Sequence, residues 1–196
     1  MVDKGLVHYD DPLSKYLNES IFPAKQYNNK TATITLRHLL SHSAGVHVME
    51  DILKDLGTVV IAQNVTQTIA KFKNLPLQFQ PGSHFNYSNY GFQLIGAVIE
   101  SVTKKPYQVV ASEFFCKGGL NSTFIGNMSV VLQDVPRYYT YLDVNNKKEH
   151  IPSVPFDELV FVEGNWPAGG YISTIDDLLA YGQLLIDSYK GRPNGK

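Results

Sequence analysis

Cysteine is almost absent from this chain of 196 residues: Cys116 stands alone, so neither an internal disulfide nor a cysteine-built metal cluster is available. An excess of one charge is missing too, since 17 basic and 18 acidic residues give a net charge of -1. Lacking a basic face, the sequence argues against a nucleic-acid partner and against polybasic attachment to a membrane surface. No apolar run approaches the roughly 20 residues that cross a bilayer, so no transmembrane segment is expected. Internal repeats, low-complexity tracts and Gly/Ser-rich linkers are also lacking. The opening residues, Met1 to Leu6, read as neither a signal peptide nor an Arg-rich transit peptide. What is present is 43% apolar residues, enough to bury a core in one domain or a large piece of one.

Patterning gives mostly helix. A short helix is expected over Leu13 to Leu17 after Pro12, fading into the polar stretch Asn28-Asn29-Lys30. Thr35 reads as the N-cap of a helix Leu36 to Leu40, ending before Ala44-Gly45. A weaker helical pattern covers Val65 to Phe72. After Ser88, the residues Leu94, Ile95, Val98, Ile99 and Val102 mark a helix with one buried face. Ser173 or Thr174 caps a last helix whose first turn holds Asp176 and Asp177, with Ile175, Leu178, Leu179 and Leu185 as its apolar stripe. Between these helices Arg137-Tyr138-Tyr139-Thr140-Tyr141-Leu142 is rich in strand-favouring residues, and Asn145-Asn146-Lys147-Lys148 marks the turn of a hairpin near 137–152. So little strand beside so much helix predicts an incomplete sheet.

Three groups of residues invite a chemical reading. His38 and His42 share a helix face at the spacing that lets two imidazoles meet one zinc ion. No glutamate intervenes and no third ligand is identifiable, so helix packing and capping account for them and no metal site is assigned. Ser101-Val102-Thr103-Lys104 places a hydroxyl and an amine one turn apart, where a desolvated lysine could take the serine proton. The pattern closes a helix and runs into Lys105-Pro106, which fits a solvated end better than a pocket. It reads as a decoy. Finally, Pro81-Gly82 feeds an aromatic segment and then the start of the strong helix, holding Tyr87 and Asn89 on a rigid corner. A tyrosine there can relay a proton, and an asparagine amide can both donate to and accept from a substrate amide. On spacing alone, tyrosine packing with Ser88 as helix cap outweighs that chemistry.

Three segments in order change the balance. Leu36-Arg37-His38-Leu39-Leu40-Ser41-His42-Ser43-Ala44-Gly45 resembles the "LRHLLSHTSG" segment of serine β-lactamase-like proteins, the class C β-lactamases, D,D-peptidases and related esterases. Tyr87-Ser88-Asn89 after Pro81-Gly82 resembles their Tyr-x-Asn motif, and Gly169-Gly170-Tyr171-Ile172-Ser173-Thr174 running on to Leu178 resembles their "GGxxSTxxDL" segment. Phe72-Lys73-Asn74, Phe79 to Ser83 and Arg137 to Tyr141 look like the animal mitochondrial branch.

The resemblance implies an α+β fold of the β-lactamase/transpeptidase type and a serine acyl-enzyme hydrolase, most simply a peptidase, using no cofactor. Tyr87 would be the proton relay, Asn89 would orient the substrate amide, and His47 would lie at the pocket rim. The substrate would be a peptide or an acyl compound. The mitochondrial branch further implies the intermembrane space, homo-oligomers or filaments, and a link to lipid metabolism.

The family's Ser-x-x-Lys nucleophile lies upstream of the segment resembling Val2 to Pro12, and its Lys/His-x-Gly edge strand is expected downstream of Lys196. Residues 1–196 are thus expected to form the central part of one domain, with no nucleophile of its own and no acylation activity alone. Lys117-Gly118-Gly119 is only superficially like the edge-strand motif. The alternative is a non-catalytic binding or filament-forming relative. Asn18, Asn29, Asn64, Asn86, Asn121 and Asn127 each begin an Asn-x-Ser/Thr sequon, which points instead to secretion. A chain short of sheet strands is also expected to expose apolar helix faces.

Overall fold

The computed structural model describes residues 1–47, 64–126, 139–144, 147–152 and 166–192, with helices and short antiparallel strands mixed along the chain. Hydrophobic burial organises it around the third helix, α3 (Asn89–Thr103), whose Leu94 and Ala97 are wholly inaccessible and whose Val98 is nearly so. Against it pack α1 (Leu36–Leu40) and α2 (Val65–Ile69). Phe72 stacks on Tyr90 with ring centroids 4.2 Å apart. A Cβ on Gly96 would sit 2.3 Å from Pro167 Cγ, so glycine lets the helical turn Trp166–Ala168 close onto α3.

The expected caps are in place. Thr35 accepts the His38 N–H, Ser88 the Gly91 N–H, and Thr174, rather than Ser173, the Asp177 N–H at the start of α5 (Ile175–Tyr189). The Val65 to Phe72 pattern forms helix only to Ile69, with Asn64 as its cap.

Other expectations change. Leu13 to Leu17 is only a 3-10 turn, Leu13–Lys15. The polar stretch beyond it does not fade out but forms a hairpin of β1 (Lys25–Tyr27) and β2 (Lys30–Ala32). Asn28 and Asn29 supply its turn with φ of 50° and 59°, the left-handed pair that a two-residue hairpin turn demands. The segment after Lys105, where no element was expected, is a helix, α4 (Tyr107–Gly118). Lys117 and Gly119 belong to the end of that helix, with Gly119 as its left-handed cap, not to a sheet edge.

β3 (Phe124–Ile125) pairs with the late strand Tyr171–Ile172, which is β6 in chain order. The hairpin near 137–152 is present as β4 (Tyr139–Val144) and β5 (Lys147–Pro152), antiparallel with Val144 opposite Lys147. Arg137, Tyr138, Asn145, Asn146 and the sequon at Asn127 lie outside the described residues.

The apolar stripe of α5 is exposed rather than buried, with Leu179 69% accessible, and no residue of that helix is buried. Its first turn is nevertheless anchored: Asp177 accepts the Ser122 N–H at 2.8 Å and the Thr123 hydroxyl at 2.7 Å.

Candidate active site

α1 owes its position to charge and backbone pairing. Arg37 forms a two-pronged ion pair with Asp10, 2.7 Å from Nε to Oδ1 and 2.8 Å from the guanidinium to Oδ2. The guanidinium holds the Asp10 carboxyl below the usual carboxylate range. The Arg37 N–H also donates to the Tyr9 carbonyl. At the helix start, His38 Nδ1 accepts the Thr35 N–H at 3.3 Å, the return half of a capping box. Partial burial disfavours the imidazolium and lowers the His38 pKa.

Beyond α1 the loop 42–47 is laced to the loop 78–88 by backbone hydrogen bonds. The Gln78 N–H donates to the Gly45 carbonyl at 2.8 Å, Gly82 N–H to Ser43 at 2.8 Å, and Asn86 N–H to His42 at 2.9 Å. Gly45 has φ of 70°, and a Cβ there would lie 2.2 Å from the Phe79 carbonyl oxygen. Gly82 has φ of 85°, and a Cβ there would stand 3.2 Å from His38 Nε2. These contacts give the Ser-Ala-Gly and Pro-Gly segments a common physical role: each lets one loop backbone lie close to its neighbour.

On that floor Tyr87 and Asn89 come together. The phenol donates to Asn89 Oδ1 at 2.9 Å, and the Tyr87 side chain is open to solvent. Asn89 opens α3, so the carboxamide stands at the positive end of a helix of 15 residues. The Ser88 hydroxyl turns inward and donates to the His47 carbonyl at 2.8 Å, which seats His47 beside the corner through its backbone. Ser88 therefore both caps α3 and ties down the loop, and its capping leaves the Tyr87 and Asn89 side chains free to meet each other.

The histidine pair is divided between two tasks. His38 caps α1, whereas His42, past the helix end at φ of 53°, accepts the Ser88 N–H on Nδ1 at 3.2 Å. Spacing alone placed them on one face, and only the left-handed turn at His42 separates them. Ser101 donates its hydroxyl to the Tyr16 carbonyl at 2.6 Å, and Lys104 is the exposed left-handed cap of α3. A cavity of about 450 Å³ lies elsewhere, between α4 and α5, with Tyr107, Phe114, Tyr171 and Leu178 in its wall and none of the corner residues.

The Beta-lactamase family model matches residues 1–194, and the chain belongs to that family. It is 23% identical to the human serine beta-lactamase-like protein LACTB, mitochondrial, over 96% of this chain and 44% of the relative. It is 25% identical to penicillin-binding protein 4* of Bacillus subtilis, over 93% of this chain and 40% of the relative. The chain thus spans less than half the length of either.

Among solved structures, a D-stereospecific amidohydrolase from Streptomyces sp. superposes with a TM-score of 0.72 at 24% identity, covering 98% of this chain and 57% of that one. A penicillin binding protein from Bacillus halodurans superposes at 0.70 and 23% identity, covering 94% and 53%. The fold is therefore that of the β-lactamases and penicillin-binding proteins, in agreement with the α+β expectation.

Proposed function

We propose that residues 1–196 are the central part of a serine acyl-enzyme hydrolase domain in which Tyr87 is the proton relay and Asn89 the substrate-orienting amide. The observation that carries this is the 2.9 Å bond from the Tyr87 hydroxyl to Asn89 Oδ1 on a rigid, solvent-open corner. In the reaction a serine oxygen bonds to the substrate carbonyl carbon as its proton passes to the Tyr87 oxygen, the phenol's own proton goes to the leaving group as the bond from that group to the carbonyl carbon breaks, and water then cleaves the acyl-enzyme to free the acid and restore the serine hydroxyl. Tyr87 is placed to move those protons, and the Asn89 carboxamide to bind the substrate's amide.

The nucleophile is not assigned within this chain. Ser101 has its hydroxyl committed to the Tyr16 carbonyl, and residues 1–196 alone are expected to give no acylation. The substrate is a peptide, amide or acyl compound. Likeness to LACTB, mitochondrial, supports a mitochondrial location, taken here as the intermembrane space, with filament formation and lipid metabolism as the wider setting. The homologue from Pyrococcus abyssi described as octameric, with a TM-score of 0.70, favours self-assembly as a second reading.

Labelling of the full-length protein with a fluorophosphonate or a β-lactam tests the proposal. Tyr87→Phe is expected to slow acylation by about 10²–10⁴-fold, the usual worth of a positioned acid–base group. Asn89→Ala is expected to raise KM. Unchanged kinetics in both variants sink it.

A further inference from the structure

Tyr87 is held by a residue that the Tyr-x-Asn pattern does not contain. The two backbone amides flanking it both end on His42: the Asn86 N–H donates to the His42 carbonyl at 2.9 Å and the Ser88 N–H to Nδ1 at 3.2 Å. The same imidazole lies against the Tyr87 ring, with centroids 4.5 Å apart and planes at 37°. Phe85 and Phe92 enclose it further, at centroid distances of 5.8 and 5.1 Å.

We infer that His42 is the positioning residue of this corner, fixing Tyr87 from both sides of its backbone and from one face of its ring. The inference rests on the catalytic reading of Tyr87 for its functional meaning, but its geometry stands apart from that reading.

Two features of His42 make it suited to the task. Its φ of 53° is a left-handed conformation that non-glycine residues seldom adopt, with asparagine, aspartate and histidine the more frequent exceptions. That turn, immediately after α1, is what lets carbonyl and ring reach the same neighbouring loop. The ring also receives an N–H on Nδ1, so the neutral imidazole carries its proton on Nε2. Asparagine can take over both features, because its Oδ1 stands near the Nδ1 position and its backbone tolerates φ above zero. Glutamine offers its oxygen one carbon further out, displaced from the Nδ1 position that the Ser88 N–H meets. Glycine keeps the backbone turn and the carbonyl but has no ring.

The test needs no turnover. In the full-length protein, long-range ¹⁵N spectra of the unmutated His42 ring are expected to show the Nε2–H tautomer; an Nδ1–H tautomer overturns the inference without any variant. Amide exchange then separates ring from backbone. His42→Gly should speed exchange of the Ser88 amide by about tenfold, the value of one ordinary hydrogen bond, while the Asn86 amide keeps its protection. His42→Asn should restore the protection at Ser88 and His42→Gln should not. Unaltered Ser88 exchange in His42→Gly, or equal behaviour of the Asn and Gln variants, overturns it.

Kinetics supply the functional half: kcat falls in His42→Gly and recovers in His42→Asn, with KM nearly constant because Asn89 stays fixed by α3. A protein with the expected spectra but no hydrolytic activity would sink the proposed function alone. Activity that is indifferent to His42, beside the expected spectra, would remove its positioning role alone.

Discussion

The Glu100 carboxylate accepts the Tyr107 N–H at 3.1 Å, joining the end of α3 to the beginning of α4. The same side chain takes the Val65 N–H and the Thr66 N–H, each at 3.2 Å, and the Thr66 hydroxyl at 3.1 Å. Free N–H groups at helix starts attract negative charge, and here one carboxylate serves two helices.

Replacing Glu100 by glutamine removes the charge and turns an NH2 group toward amides that need an acceptor. A loss of about 1–3 kcal/mol in folding stability is expected, the cost of unsatisfied partly buried donors. Urea titration checks it; an unchanged midpoint contradicts the dual-capping role.

His38 provides a pH dependence of known sign. Burial depresses its pKa, with the nearby Asp10 charge acting the other way. The folded state therefore binds this proton less readily than the unfolded chain. The contribution to stability is complete above the unfolded value of about 6.5 and is lost as pH falls through it toward the lower folded pKa. His38→Gln keeps an acceptor for the Thr35 N–H without titrating. The fall in Tm between about pH 7 and 5 should be shallower in that variant. Parallel curves for the two proteins refute the assignment.

Gly45→Ala should strain the loop floor in two ways, through a left-handed φ of 70° and a Cβ at 2.2 Å from the Phe79 oxygen. A destabilisation of about 1–3 kcal/mol is the expected cost of overpacking of this kind. Scanning calorimetry gives the answer, and a Tm equal to that of the unmutated chain would show that the two loops separate freely.

In the full-length protein, Ser101→Ala should leave acylation by a fluorophosphonate intact and cost about 1 kcal/mol, since it removes only the bond to the Tyr16 carbonyl. Abolished labelling would make Ser101 the nucleophile.

The sequence displayed what local chemistry decides. Thr35, Ser88 and Thr174 announce helix starts because a side-chain oxygen satisfies a backbone donor only a few residues away. The α3 stripe was legible for the same reason, one periodic face meeting one core.

α4 was legible but left unassigned, although Tyr107, Val110, Ala111, Phe114 and Phe115 follow helical spacing. The Asn28-Asn29 turn also had a signal, two residues that tolerate positive φ between short polar strands.

What no local pattern contains is partnership at a distance. Glu100 looks like an ordinary helix-end charge until Val65 and Tyr107 are brought to it. His42 looks like the second half of a zinc pair until a backbone turn aims it at Ser88. Tyr87 and Asn89 were readable as a pair because they are near neighbours in the chain, so no distant folding event is needed to bring them together.

α3 is fastened at both extremities by different means. At its start, Ser88 is held by His42 and His47; at its finish, Glu100 grips α2 and α4. A rod clamped at each end cannot fray from either. Its central amides should consequently exchange only through the largest opening of the molecule, so that denaturant and temperature release them together with the core rather than ahead of it.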